Sequence, residues 1–290
     1  MKSGFVAIVG KPNAGKSTIL NALLDHDISI VTDKAQTTRN AIRGIYNDPE
    51  YQIVFVDTPG IHKARHALGN IMNQDAFDST KDVDAVILVM DASAKITDAD
   101  LDIAKKLPKE VPLIIVVNKI DLMRLPQVIE VKEKIASIYP DAKLIEMSAI
   151  QNFNVDELLN IVKGYMNEGP QYYPVDTITD KDAAFFVSEV IREKMLKLLR
   201  EEVPHELAVR VDEIKHKAES VLIHATIIVD RDSHKGIVIG KEGKRIKAIG
   251  TKARETLEGY FNKRLFLELR VAVKEDWINN PRILKELGYK

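Results

Sequence analysis

Three groups of residues in this sequence have the types and spacing that phosphate and purine chemistry require. The first is Gly10-Lys11-Pro12-Asn13-Ala14-Gly15-Lys16-Ser17, which fits G-x-x-x-x-G-K-S/T. In such a loop the glycines let main-chain N–H groups wrap phosphate oxygens. The lysine reaches the β- and γ-phosphates, and the hydroxyl after it binds Mg²⁺. The second is Asp57-Thr58-Pro59-Gly60, where the carboxylate can hold Mg²⁺ through water and the Gly60 N–H can meet a γ-phosphate. The third is Asn118-Lys119-Ile120-Asp121. An Asp carboxylate accepts from both the ring N–H and the exocyclic amine of guanine. Adenine offers no such donor pair and would leave a charged acceptor unpaired, and a hydrogen bond to a charged group is worth roughly 1.5–3 kcal/mol. Asn118 is expected to brace the loop, the Lys119 stem to lie over the base, and the backbone N–H groups of Ser148-Ala149 to meet the guanine oxygen.

These groups need elements that bring them to one edge. Apolar, β-branched runs predict strands at Phe5–Gly10, Ala41–Tyr46, Gln52–Asp57, Ala85–Asp91, Leu113–Asn118 and Lys143–Met147, of the kind buried on both faces. Helical spacing follows the phosphate loop from near Lys16. It recurs after Thr97-Asp98 (Leu101, Ala104, Leu107) and over 153–166 (Val155, Leu158, Leu159, Val162). Alternating strands and helices predict a mostly parallel, doubly wound α/β sheet. The phosphate loop, DTPG, NKID and Ser148-Ala149 all fall at carboxyl ends of its strands, where such sheets bind ligands.

The stretch EGPQYYPVD (168–176) disfavours helix and strand and reads as an interdomain linker. The expected division is 1–170, a linker over 171–182, and 183–290. The last part predicts the order α-β-β-α-β: a helix at Ala183–Arg200, strands at Ala208–Lys215 and Val221–Asp230, a Gly-rich turn, a basic helix at Lys244–Tyr260 and a strand at Leu265–Val273. Within it, Ile239-Gly240-Lys241-Glu242-Gly243-Lys244-Arg245-Ile246-Lys247 places GxxG between an apolar segment and a basic amphipathic helix. Glycines there let an RNA backbone come close, and Lys241, Lys244, Arg245 and Lys247 supply cations for its phosphates, with Glu242 making the loop less basic.

The phosphate loop GKPNxGKS, Gln36-Thr37-Thr38-Arg39, DTPG and NKID resemble, in order and spacing, the Era family of P-loop GTPases. The GxxG segment and the order of elements around it resemble a type II KH domain, a smaller α+β domain with its extra helix and strand before the core. Era proteins carry one in this position, so the likeness spans essentially the whole chain. The resemblance implies GTP hydrolysis, with Gly10–Ser17, Thr37-Thr38, Asp57–Ile61, Asn118–Asp121 and Ser148-Ala149 at the nucleotide. It implies Mg²⁺ held by Ser17, by Thr38 ahead of Thr37, and by Asp57 through water. Lys16, Thr38, Asp57, Gly60 and Asn13 would serve catalysis. Asn13 resembles the asparagine that coordinates a monovalent cation in some relatives, implying K⁺ near the phosphates. Ile61 stands where Ras-like GTPases carry a water-orienting glutamine, so slow intrinsic turnover is expected. Ala14 replaces the usual Val, and Ile150-Gln151-Asn152 the usual Leu-Lys-Gly. The implied RNA is 16S ribosomal RNA near its 3′ end, in assembly of the small (30S) subunit. The implied setting is a cytoplasmic monomer with peripheral contact to the inner face of the cell membrane.

Composition agrees. The 290 residues are 45% hydrophobic and 29% charged, with no cysteine, which excludes disulfide frameworks, thiolate zinc sites and iron–sulfur clusters. No apolar run approaches the ~20 residues of a spanning helix, and residue 1 reads as the start of the folded protein. The net charge of −1 hides a division: residues 181–290 carry 23 basic and 18 acidic side chains, which suits a polyanionic partner. His62 and His66, four apart, lack a third ligand at metal spacing. His205, His216, His224 and His234 are scattered. Trp277 reads as a packing residue, and Val190–Leu199 as a core-facing rather than membrane-lying helix. The rival functions are a P-loop ATPase or kinase, and an RNA chaperone with a purely structural nucleotide site.

Overall fold

The computed structural model describes residues 1–34, 37–94, 96–199 and 206–289. Proximity in space divides it into two units. One is Met1–Lys63 with Met72–Asp180, and the other is Ala64–Ile71 with Lys181–Lys290.

The first unit is built from β1 (Lys2–Gly10), α1 (Lys16–Leu24), β2 (Ile42–Asn47), β3 (Tyr51–Asp57), β4 (Ala85–Asp91), α3 (Asp98–Lys105), β5 (Leu113–Asn118), α4 (Leu125–Ile138), β6 (Lys143–Glu146), α5 (Val155–Lys163) and β7 (Asn167–Glu168). Helix α2 (Ala67–Asp78) lies between β3 and β4 in the chain. The sheet order is β2-β3-β1-β4-β5-β6, with β7 pairing the start of β1. β1 runs parallel to both β3 and β4, and β2 alone on the main path is antiparallel to its neighbour. Alternate residues of the same strands feed two cores. Val6, Ile8, Phe55 and Ile87 pack on one face, against α1 and α5. Ala7, Val9, Leu88 and Val117 pack on the other, against α3 and α4. That two-sided burial is why these strands read as unbroken apolar runs.

The segment read as an interdomain linker is strapped to this sheet. Gln52, fully buried, accepts from the N–H groups of Tyr172 and Tyr173 at 2.6 and 2.9 Å and donates to the Tyr173 carbonyl at 2.8 Å. Further along, the Ile45 N–H donates to the Ile178 carbonyl and the Arg43 N–H to Asp180 Oδ1. Gly and Pro exclude a regular strand here, but one buried amide satisfies the irregular backbone.

The second unit contains α6 (Ala183–Leu198), β8 (Leu207–His216), β9 (Ser220–Val229), α7 (Asp232–Ile239), α8 (Lys244–Phe261), β10 (Arg264–Val273) and α9 (Pro281–Glu286). Its sheet order is β10-β9-β8, with β10 parallel and β8 antiparallel to β9. Val187, Val190, Ile191 and Met195 of α6 join Ile249, Ala253 and Leu257 of α8 in one core over the sheet. The 190–199 stretch therefore spends its apolar face inside the protein. Trp277 is fully buried, with Nε1 donating to the Glu206 carbonyl at 3.1 Å, so it packs rather than stacks on a base. Arg200 and His205 lie outside the described residues.

Candidate nucleotide site and nucleic-acid groove

β1, β3, β5 and β6 deliver their motifs to one end of the first sheet. Gly10 closes β1, and the loop turns through Asn13 (φ 61) and Gly15 (φ 101) into α1. Gly15 has no tolerable substitute: its φ is left-handed, and a Cβ would collide with Nδ2 of Asn118. That Nδ2 donates to the Ala14 carbonyl at 2.9 Å, while Asn118 Oδ1 accepts from the Ala149 N–H at 3.2 Å. Asn118 is thus the brace expected of it, joining the loops after β1, β5 and β6. Beside the phosphate loop is a cavity of about 350 Å³ lined by Gly15, Lys16, Ser17, Thr38, Gly60 and Lys119, among others.

Lys16 is buried, and its ammonium donates to the carbonyls of Lys11 at 2.8 Å and Gly10 at 3.3 Å. Burial lowers its pKa to about 8, against the opposing pull of the Asp57 charge. Ser17 Oγ donates to Asp57 Oδ2 at 2.7 Å and lies 2.9 Å from Thr38 Oγ1. Sequence positions 17, 38 and 57, expected to serve one Mg²⁺, are therefore adjacent. Thr37, also on the cavity wall, bonds Thr32 Oγ1 and the Lys34 carbonyl through its hydroxyl. Asp57 is fully buried and its Oδ1 has no hydrogen-bond partner among the described residues. Burial pushes its carboxyl up, while Lys16 and the hydroxyls of Ser17, Ser29 and Thr38 pull it back. An orphaned buried carboxylate oxygen beside two hydroxyls is a donor set suited to a hard, oxygen-seeking cation such as Mg²⁺. The three residues fit the metal.

Several expected site residues take different parts. The Lys11 ammonium binds Thr97 Oγ1 at 2.8 Å and Asp100 Oδ2 at 2.6 Å, at the start of α3. Only its main chain serves the phosphate loop. Pro12 and Asn13 line the cavity, and Asn13 Nδ2 donates to the Asp33 carbonyl at 2.9 Å. Thr58 and Ile61 are structural: Thr58 bonds the Ile8 carbonyl, and Ile61 donates its N–H to Gly10 while its side chain packs on the second core. Pro59 is buried between Thr58 and Gly60. Gln36 lies outside the described residues.

The guanine-reading loops are also rearranged relative to expectation. The Ser148 N–H closes on the Phe153 carbonyl at 3.3 Å and the Ala149 N–H on Asn118, so both backbone donors are engaged within the protein. The contribution of this loop is instead the Ser148 hydroxyl, which donates to Asp121 Oδ1 at 2.6 Å. Lys119 Nζ binds Asp91 Oδ2 at 2.6 Å at the end of β4, and Ile120 packs against the second core. The sequence carried no motif around Asp91 or Ser29; both are contacts to motif residues from strand ends and loops far off in the chain.

In the second unit, Ile239 ends α7, Gly240 (φ 73) turns the chain, Lys241–Gly243 make one tight turn, and Gly243 (φ 72) opens α8. Gly240 must be glycine, because a Cβ would lie 2.6 Å from Cβ of Arg245. Arg245 Nη1 donates to the Ile237 carbonyl at 2.6 Å, tying α8 to α7. Glu242 ion-pairs with Lys244 at 3.0 Å on the surface. Next to this turn lies a groove of about 520 Å³ between α8 and β10, lined by Ile246, Lys247, Thr251, Arg254, Leu267 and Leu269 among others. The β10 side of the groove was not legible in sequence, because those leucines alternate like any half-buried strand.

A phosphate loop, three residues that fit Mg²⁺ and a carboxylate placed where guanine would be read, on one mostly parallel sheet, followed by this helix-turn-helix over three strands, define a P-loop GTPase joined to a KH domain. Family comparisons agree. A family described as 50S ribosome-binding GTPase matches residues 5–119, and the KH domain family matches residues 202–278. GTPase Era of Clostridium kluyveri is 46% identical over 292 aligned residues, covering all of both chains. A crystal structure of Era with MgGDPNP and nucleotides 1506–1542 of 16S ribosomal RNA superimposes with a TM-score of 0.96 at 39% identity. It covers 100% of this chain and 99% of that one. An Aquifex aeolicus Era variant bound to GDP and AlF₄⁻ gives the same TM-score, identity and coverage. The chain belongs to the Era family of GTPases, and its activity is hydrolysis of GTP.

Proposed function

We propose that this GTPase is a nucleotide-operated switch that binds 16S ribosomal RNA near its 3′ end through the KH domain and acts in assembly of the 30S subunit. One observation carries the reading. The chain has both parts, in the same order and over its full length, of an Era crystallised with that RNA and a magnesium-bound GTP analogue. Mg²⁺ would be held by Ser17 and Thr38 directly and by Asp57 through water; when bound it neutralises charge on the phosphates. Lys16, its pKa depressed by burial, moves from the loop carbonyls to the phosphates. Asp121, fixed by Ser148, selects guanine. The Ile61 side chain has no polar atom to orient water, so that task falls to backbone groups, a neighbouring segment or a partner. Intrinsic turnover at or below ~10⁻² s⁻¹ follows.

K⁺ is the finer part of the proposal. Asn13 holds the Asp33 carbonyl at the rim of the cavity, where a monovalent cation could bridge that carbonyl and the phosphates. Faster turnover in K⁺ than in Na⁺, lost in Asn13→Ala, supports it; equal rates sink it. We further propose a cytoplasmic monomer. Peripheral contact with the inner face of the membrane would need a carrier other than 190–199, and no described helix is long and apolar enough to cross a membrane.

The deciding experiment measures binding of a 16S 3′-end fragment, and GTP turnover with and without it, in GDP and in a non-hydrolysable GTP analogue. Binding that differs between the two nucleotides supports the switch. Equal affinity means RNA binding is not the switched quantity, and no binding overturns the RNA assignment.

A further inference from the structure

Ser29 stands in no nucleotide-binding motif, yet it is 4% exposed and its hydroxyl donates to Asp57 Oδ2 at 3.0 Å. The same oxygen accepts from Ser17. The hydroxyl is held there by Asn21. Asn21 follows Ser17 by four residues on α1, on the same helix face. Its Oδ1 accepts from the N–H groups of Ile28 at 3.2 Å and Ser29 at 3.0 Å, and its Nδ2 donates to the Ser29 carbonyl at 2.8 Å. One side chain thus fixes both main-chain groups of Ser29, and from that fixed backbone the hydroxyl reaches Asp57.

The terminal torsion of Asp is broad and roughly two-fold, so one hydrogen bond leaves the rotation of the carboxylate plane loosely set. Two donors on Oδ2 hold that rotation. They leave Oδ1, the buried oxygen without a partner, as the acceptor for a metal-bound water. We propose that Ser29, clamped by Asn21, is a positioning residue for Mg²⁺: it sets the rotation of the Asp57 carboxylate so that Oδ2 is spent inside the protein and Oδ1 is offered to the metal's water. This rests on the reading that Ser17, Thr38 and Asp57 hold Mg²⁺. Groups that orient a metal's ligands typically change its affinity ten- to a hundredfold when removed.

The test uses the full chain and a fluorescent GDP analogue, with dissociation followed across a Mg²⁺ titration and in excess EDTA. In Ser29→Ala the Mg²⁺ midpoint for slowing nucleotide release should rise about tenfold, with the EDTA rate unchanged. Asn21→Ala should move the midpoint the same way, and Ser29→Thr, which keeps the hydroxyl, should restore it. An unshifted midpoint in Ser29→Ala overturns the proposal. So does an equal rise of release in EDTA, which marks a loosened pocket rather than a lost metal orienter. If the unaltered chain shows no Mg²⁺ dependence at all, the magnesium reading itself fails, and that outcome is recognisable without any variant.

Discussion

Ser148 Oγ lies 2.6 Å from Oδ1 of Asp121, and the hydroxyl is buried while the carboxylate is not. The donor therefore sits inside the protein, and the carboxylate expected to read the base lies half-buried at its edge. Without Ser148, Asp121 keeps its charge but loses the group that aims it. Ser148→Ala is expected to weaken GDP and GTP alike by about ten- to a hundredfold, in line with roughly 1.5–3 kcal/mol for a hydrogen bond to a charged group. Asp121→Asn should instead move preference toward xanthine nucleotides. Calorimetric titration of both variants separates the two roles; unchanged GDP affinity in Ser148→Ala would show that Asp121 is aimed by other means.

Lys16 predicts a pH dependence with a definite sign. Its pKa in the chain is lowered to about 8 by burial. Phosphate oxygens favour its charged form, so its pKa rises in the nucleotide complex. Above pH 8 the complex then binds more protons than the separated protein, and affinity falls as pH rises, by up to about tenfold per pH unit. Below pH 8 the lysine is charged in both and this contribution is flat. Calorimetry in two buffers of different ionisation enthalpy should show proton uptake on GDP binding above pH 8, absent in Lys16→Ala. Affinity that stays level from about pH 7 to about pH 10 contradicts the assignment.

The strap over the first sheet makes Gln52 a stability residue. It is fully buried and satisfies three main-chain groups of Tyr172 and Tyr173. Gln52→Ala leaves those groups to find water, at a cost of about 2–3 kcal/mol. Urea denaturation should read that loss, and limited proteolysis should show faster cleavage within 171–176. A variant as stable and as protected as the parent would mean that the other strap contacts suffice.

What sequence reveals here follows from how each feature is encoded. β4 and β5 were legible to the residue because strands buried on both faces are unbroken apolar runs. Helix α4 was not: Val128, Val131 and Ile135 lie on its packed face, but the exposed Leu125 and Ile129 blur that stripe. In α2 the buried Leu68, Met72 and Ala76 are diluted among polar neighbours. The residues that touch phosphate, metal and base come in contiguous motifs and could be read directly. Those that aim them could not. Ser29 and Asp91 each meet a motif residue through one hydrogen bond, and Asn21 acts one step further back, through Ser29; nothing in a single chain's spacing announces which polar side chain will be folded against which.

The cations near the GxxG turn should divide into two kinds. Lys247 is exposed and lines the groove between α8 and β10, so its work is with phosphate alone. Each phosphate contact on a single strand contributes about 0.7 to the slope of log affinity against log salt. Lys247→Ala should lower that slope by about one such contact and weaken RNA binding evenly across sequences, with thermal stability unchanged. Arg245 has a second duty, because its guanidinium holds the Ile237 carbonyl and its Cβ packs on Gly240. Arg245→Ala should therefore reduce RNA affinity and also the melting temperature. Arg245→Lys, which keeps the charge but not the planar fork, should recover part of the salt slope and little of the stability. Salt-titrated binding and thermal denaturation of the three variants distinguish these effects. If Lys247→Ala melts as early as Arg245→Ala, or if neither changes the salt slope, the division between a phosphate contact and a turn restraint is wrong.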